Sequence, residues 1–316
     1  MNPQRSMTRY HIDLLRLAAA MAGLSLFAAC SANSTVPAGV QGESNNRLAP
    51  APKRCKEKLY VSSYKLDYVA IYCTKGHNQA PIGKITDGID GPEGANVDRK
   101  GNLYVANTTA NTVTEYAPGS LTPSFTYSSG LGAPAGVAID DKQNVYITNL
   151  SPPSVEVFPQ ASNTPQLKIT DLTYPIDVAV DASENAYVTT YAPSFKGGEI
   201  FKYSAGSTQG KNLGIVTDAP GGIALDEAGD IVTADQSLPG VLVFAPGKTK
   251  PSRTFAQNTL DPDPVRLDKE ERQVYVGDSV GNAVYVYDYS SGALVDTITD
   301  GVDGPNGLGL DPAAPL

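Results

Sequence analysis

The feature that most constrains this chain is a period of about forty residues, which starts near residue 56 and runs to the end of the sequence. Its first element is Pro-x-Gly-apolar-x-apolar-Asp. It appears as Pro92-Glu93-Gly94-Ala95-Asn96-Val97-Asp98 and Pro134-Ala135-Gly136-Val137-Ala138-Ile139-Asp140, then less strictly in stretches ending at Asp181, Asp226, Asp268 and Asp311. Each of the first five copies passes through a polar turn into an alternating strand such as Leu103-Tyr104-Val105-Ala106-Asn107. A third strand follows, ending in an aromatic residue at Tyr116, Phe158, Tyr203, Phe244 and Tyr287. Alternation of β-branched and aromatic residues between Gly, Asn, Asp and Pro is the pattern of antiparallel strands.

The two ends of the repeat complement one another. No strand follows Asp311, whereas the strands Leu59-Tyr60-Val61-Ser62-Ser63 and Tyr68-Val69-Ala70-Ile71-Tyr72 have no Pro-x-Gly strand before them. An all-β fold is therefore expected over residues 56–316: a six-bladed β-propeller of four-stranded antiparallel blades, closed by pairing the C-terminal strand with the N-terminal blade. Closure removes the open edges that invite aggregation. A solenoid would need distinct caps at both ends, and the complementary fragments argue against it. The repeat resembles those of the NHL and YVTN-type propellers. That resemblance implies the fold and leaves the function open. The 30 Gly, 24 Pro and 17 Tyr, against 7 Phe and no Trp, agree with many short strands and tight turns.

Residues 1–29 read as a signal peptide. A stretch holding Arg5, Arg9 and Arg16 leads into an apolar run from Leu17 to Ala29, too short to span a bilayer comfortably. Phe27-Ala28-Ala29-Cys30 resembles the bacterial lipobox, although Leu is usual where Phe27 stands. The resemblance implies lipidation of Cys30, attachment to the membrane through the N-terminal lipid, and a place in the bacterial cell envelope at the outer membrane or facing the periplasm. Ordinary cleavage near Ala28-Ala29, with Cys30 incidental, is the other reading. Residues 30–55, rich in Ser, Asn, Ala, Pro and Gly, are expected to serve as anchor and flexible linker.

Without residues 1–29 the chain carries 21 basic and 32 acidic side chains. That balance disfavours a phosphate-binding surface, so no nucleic-acid partner is expected. A monomer is expected. Two cysteines remain after Cys30, and they flank the hairpin from Leu59 to Tyr72. Antiparallel pairing brings Cys55 near Cys73, and an exported chain permits a disulfide between them.

Two columns of the repeat read first as architecture. The Asp ending each first strand precedes a turn, where its carboxylate can accept the backbone N–H two residues on. The residue closing each second strand (Ser63, Asn107, Asn149, Thr190, Asp235, Asp278) also reads as a turn former. More informative is the x of Pro-x-Gly, which should stand at one mouth of the central channel. In ring order it is Asn306, Glu93, Ala135, Ile176, Gly221 and Asp263. Glu93, Asp263 and Asn306 fall on consecutive blades, with Asp235 and Asp278 as weaker candidates to reach the same rim. Oxygen ligands of this kind suit a hard divalent cation such as Ca²⁺; the alternative is that they stand apart, solvated or bonded to loop N–H groups.

The gluconolactonase and senescence-marker propellers hold a divalent metal through Glu, Asn and Asp, and this ring is similar in kind. The likeness implies a metal-dependent lactone hydrolase, with Asp235 or Asp278 as base. The streptogramin lyases are also similar in fold, but they work through histidine, and only His77 follows the signal segment. The reading favoured by the sequence is non-catalytic: a binding or scaffold module at the cell envelope, with a protein or glycan ligand.

Overall fold

The computed structural model describes residues 55–314 except Pro239. Residues 1–54, on which the expected signal peptide, Cys30 and nearly all of the expected linker fall, lie outside the described residues. The twenty-four described strands form six four-stranded antiparallel sheets. The first three strands, β1 (Lys58–Ser63), β2 (Tyr68–Cys73) and β3 (Gly83–Ile85), belong to the closing blade. One blade holds β4 (Pro92–Val97), β5 (Leu103–Asn107), β6 (Thr112–Tyr116) and β7 (Phe125–Tyr127). The next holds β8 (Pro134–Ile139), β9 (Val145–Leu150), β10 (Pro153–Phe158) and β11 (Leu167–Ile169). Then come β12 (Pro175–Val180), β13 (Ala186–Tyr191), β14 (Gly198–Tyr203) and β15 (Gly210–Thr217), followed by β16 (Pro220–Leu225), β17 (Ile231–Asp235), β18 (Gly240–Phe244) and β19 (Arg253–Phe255). The last full set is β20 (Pro262–Leu267), β21 (Gln273–Asp278), β22 (Ala283–Asp288) and β23 (Leu294–Ile298).

Strand β24 (Pro305–Asp311) completes the closing blade, whose order is β24-β1-β2-β3. Leu59 pairs with Leu310 and Val61 with Leu308. At the lower end of this seam Lys58 Nζ donates to Asp311 Oδ2 at 3.3 Å. Beside it the expected Cys55–Cys73 disulfide is formed, with 5.6 Å between the Cα atoms. The ring is thus closed as the complementary ends of the repeat predict.

The innermost strands β4, β8, β12, β16, β20 and β24 contact one another in that order and return to β4, enclosing the central channel. They approach closely enough to explain a residue of the repeat. A Cβ at Gly94 would collide with the carbonyl oxygen of Ala135 on the next strand, and one at Gly307 with that of Glu93. Glycine is required by proximity here, with no unusual φ involved.

Six apolar clusters fill the spaces between blades, one per interface. Each contains the aromatic residue that ends a third strand: Tyr72, Tyr116, Phe158, Tyr203, Phe244 or Tyr287, all buried. The ring fills the gap between blades, and the hydroxyl, where present, reaches a connecting loop. Tyr116 donates to the Asp87 carbonyl, Tyr203 to the Asp171 carboxylate and Tyr287 to the Asn258 side-chain oxygen, each at 2.7 Å. The preference for Tyr over Phe follows from that second task.

Candidate binding face and central channel

Both recurrent columns are architectural. Asp98 accepts the N–H groups of Lys100 and Asn102 and the Asn102 amide, all at 2.8 Å, and Tyr104 adds its hydroxyl at 3.4 Å. Asp140 and Asp181 repeat this with Asn144 and Tyr146, and with Asn185 and Tyr187. The N–H two residues on is used at Asp98 and Asp181; the one four residues on recurs more widely, at Asp226 and Asp268 as well. The motif Asp-x-x-x-Asn-x-Tyr stands in the sequence, but its meaning shows only when the turn brings the three side chains together.

The second column latches the connections that lead into the innermost strands. Asn107 accepts the Asp90 N–H, Asn149 that of Gly132 and Thr190 that of Tyr174. Asp235 accepts four: Asp218 and Ala219 before the innermost strand, and Ser237 and Leu238 after its own. Asp278 accepts Leu260, Asp261 and Gly281 in the same manner. Burial pushes the Asp235 carboxyl up, and these backbone donors work against the shift. Two candidates for the channel rim are therefore committed to loop N–H groups, the alternative open to them on sequence alone. The four donors to Asp235 occupy the lone pairs that a base in the hydrolase role would have to present to water.

The x residues do ring the upper mouth, each second in its innermost strand. Glu93, Asp263 and Asn306 lie on the adjacent strands β4, β20 and β24, all partly exposed. Burial pushes the Asp263 carboxyl well above the ordinary carboxylate range; Glu93 pushes it further, followed by Asp261 and Asp177, while a hydrogen bond from Gln236 opposes them. Enclosure by six blades, more than loss of exposed area, disfavours its charge. The structure thus brings Glu93 and Asp263 into each other's field. Among the described residues no group of three or more His, Cys, Asp or Glu side chains is placed to hold a metal ion.

Two features of the channel were not evident from the sequence. One is a crossbar beneath the mouth. Arg266, buried on β20, donates through Nη1 to Asp177 Oδ2 on β12 at 3.1 Å and to the Val265 carbonyl at 2.8 Å, and through Nη2 to the Ala95 carbonyl on β4 at 3.1 Å. Asp177 also accepts the Ile223 N–H at 3.1 Å. Below the crossbar lies a cavity of about 90 Å³, where the small residues Ala138, Ala179 and Ala224 face Arg266. The signal lay in departures from the repeat: Asp177 stands where four other blades have Gly, and Arg266 where they have Asn, Ala or Gly.

The other is an aromatic trio. Tyr174, Tyr191 and Phe195 stand with ring centroids 6.1–6.3 Å apart beside β12, the strand opposite β24 in the ring. The mouth is accordingly two-sided, with Glu93, Asn306 and Asp263 on one half and Ala135, Ile176 and Gly221, backed by aromatic rings, on the other. Around it the loops expose Leu66, Phe195, Leu238, Leu260 and Val280, and the outermost strand β15 exposes Val216 near its end. The connections into the innermost strands (86–91, 128–133, 170–174, 218–219, 256–261 and 299–304) hold seven aspartates and no Lys, Arg or His.

No protein-family model matches the sequence, nor does any curated protein. Solved structures do. The chain is similar to one in the nidogen/laminin complex, with a TM-score of 0.67 at 17% identity over 80% of this chain and 98% of that one. Hydrazine synthase of Kuenenia stuttgartiensis gives 0.60 at 15% identity over 87% and 94%. A protein of unknown function from Bacteroides caccae gives 0.62 at 11% identity over 81% and 98%. At these identities the likeness establishes a shared fold, the six-bladed β-propeller of four-stranded antiparallel blades, and nothing finer.

Proposed function

We propose that this protein is an exported binding module, lipid-anchored at Cys30 in a bacterial cell envelope, that engages a partner through its upper face. The observation that carries the reading is the character of that face: exposed apolar side chains around a mouth that is acidic on one half and aromatic on the other. Six of the ten large hydrophobic side chains exposed among the described residues stand on this face, and apolar exposure concentrated on one face marks an interaction surface. Its loops stand on a rigid ring, the usual division between scaffold and recognition. Export is supported by the basic and apolar segments before Cys30 and by the Cys55–Cys73 bridge, which suits an oxidising compartment. Descent from the NHL and YVTN-type repeat belongs to the same reading.

Crosslinking of the full chain in intact cells, followed by mass spectrometry, tests the face. Phe195→Asp and Leu260→Asp should abolish a partner that Leu121→Asp, on the opposite side, leaves in place. Equal capture by all three variants would refute the assignment. Labelling with a lipid precursor, present in the parent and absent from Cys30→Ala, tests the anchor.

A further inference from the structure

We propose that the cavity beneath the crossbar binds a small uncharged organic molecule, whose carbonyl oxygen meets the Arg266 guanidinium and whose short alkyl part lies against the alanines opposite. This site stands below the crossbar and is independent of the partner at the upper face.

The space follows from side-chain size. The fifth residue of the innermost strand is Ala138, Ala179 and Ala224 on the consecutive strands β8, β12 and β16, and Arg266 on β20. The three alanines leave a cavity of about 90 Å³, bordered also by Ala313 and Ala314 of the tail that follows β24. Folded interiors are close-packed, so a gap with room for about three waters is unusual.

The polar side chains that line the cavity are committed elsewhere, with one exception. The Asn96 amide donates to the Val137 carbonyl at 3.1 Å, and its oxygen accepts the Val97 N–H at 2.9 Å. Asp98 is held by its turn, and Arg99 pairs with Asp141 at 2.6 Å. Arg266, 8% exposed, differs. Its Nη1 serves Asp177 and the Val265 and Ile223 carbonyls, and its Nε is fully buried. Nη2 carries two hydrogens and meets one acceptor, the Ala95 carbonyl. A cavity with a donor at one side and the apolar Val180, Leu225 and Leu267 around it suits an oxygen acceptor on an alkyl body.

Charge decides which acceptor. Asp177 already balances the guanidinium at 3.1 Å, and the buried Asp98 borders the same cavity. A carboxylate would bring an unpaired negative charge into the channel, at a desolvation cost that a neutral carbonyl avoids. Volume decides the size. The cavity is smaller than the ~150 Å³ that accepts benzene, so the ligand has about four or five non-hydrogen atoms.

Alanine-methyl NMR of the full chain in detergent, titrated with butanone and with propionate, tests the site. The two ligands match atom for atom, with a methyl group in one where the other has a charged oxygen. The Ala138, Ala179 and Ala224 signals should move to saturation at millimolar butanone, the affinity so small a ligand can reach, while that of the exposed Ala110 stays in place. Propionate at neutral pH should bind about ten-fold more weakly or worse. Ala224→Leu fills the cavity, leaves both partners of the crossbar in place and should weaken butanone about ten-fold or more, read at Ala138. Ala179→Val reads the same effect if that variant fails to fold. Shifts that never saturate, propionate binding as tightly as butanone, or a filled cavity that binds butanone like the parent would each overturn the inference. None of these outcomes touches the upper face, which stands or falls with its crosslinked partner.

Discussion

Arg266 Nη1 and Asp177 Oδ2 meet at 3.1 Å across the central channel, from strands two blades apart, with only about a tenth of either side chain exposed. The pair links four innermost strands, because Arg266 also holds the Ala95 carbonyl and Asp177 the Ile223 N–H. Replacing Arg266 by Met should destabilise the fold by about 3–5 kcal/mol, since it strands a buried carboxylate. Replacing Asp177 by Ala in the same chain should restore part of that loss. Urea unfolding of the two single variants and the double variant checks it, and a strictly additive outcome would deny the coupling.

Asp263 makes the protein sensitive to pH in a definite direction. Folding raises its pKa, so the folded chain keeps a proton that the unfolded chain releases. The linked destabilisation is absent below the unfolded value of about 4, grows as pH rises towards the raised folded value, and is complete above it. Asp263→Asn removes the effect. The variant should be more stable than the parent at neutral pH, with the gap closing towards pH ~4. Thermal midpoints across that range decide it.

The hydroxyl of Tyr203 ties one inter-blade loop through Asp171 at 2.7 Å. Tyr203→Phe keeps the ring and loses the bond, so a cost of about 1 kcal/mol is expected. The buried aromatic positions Phe158 and Phe244 do without the hydroxyl, so the variant should remain folded. Denaturant midpoints with an unchanged slope would show that stability alone had moved.

The Cys55–Cys73 bridge closes a sequence separation of 18 at the seam of the ring. Converting both residues to Ser should cost about 3 kcal/mol, the value for a loop of this size in the chain-entropy account. The reduced parent should unfold with the double variant, and both before the oxidised parent.

The architecture was legible because it repeats. Gly94, Gly136, Gly222 and Gly307 occupy one recurring position and answer one recurring need, so a single glance at the period exposes the ring. The bridge was legible because Cys55 and Cys73 flank a hairpin whose pairing the pattern dictates. The crossbar was not, since Arg266 and Asp177 are 89 residues apart and break the repeat individually, without any sign that the two breaks belong together. Asp235 and Asp278 show the converse difficulty: a carboxylate at a strand end looks the same in sequence whether it faces a ligand or holds three or four backbone N–H groups.

The closing blade also sets the order in which the molecule can form. Five blades are each built from consecutive strands, so their pairings are local and become available as the chain emerges. β1 must wait for β24, since Lys58 and Asp311 stand 253 residues apart. Until then the three-stranded sheet β1-β2-β3 carries an open edge, the kind that recruits strands from other copies. The cysteine bridge, made between near neighbours in sequence, can hold that sheet in register throughout the wait. Its service to the finished ring is thus preceded by one to the nascent chain, in which the last seven-residue strand finds a prepared place.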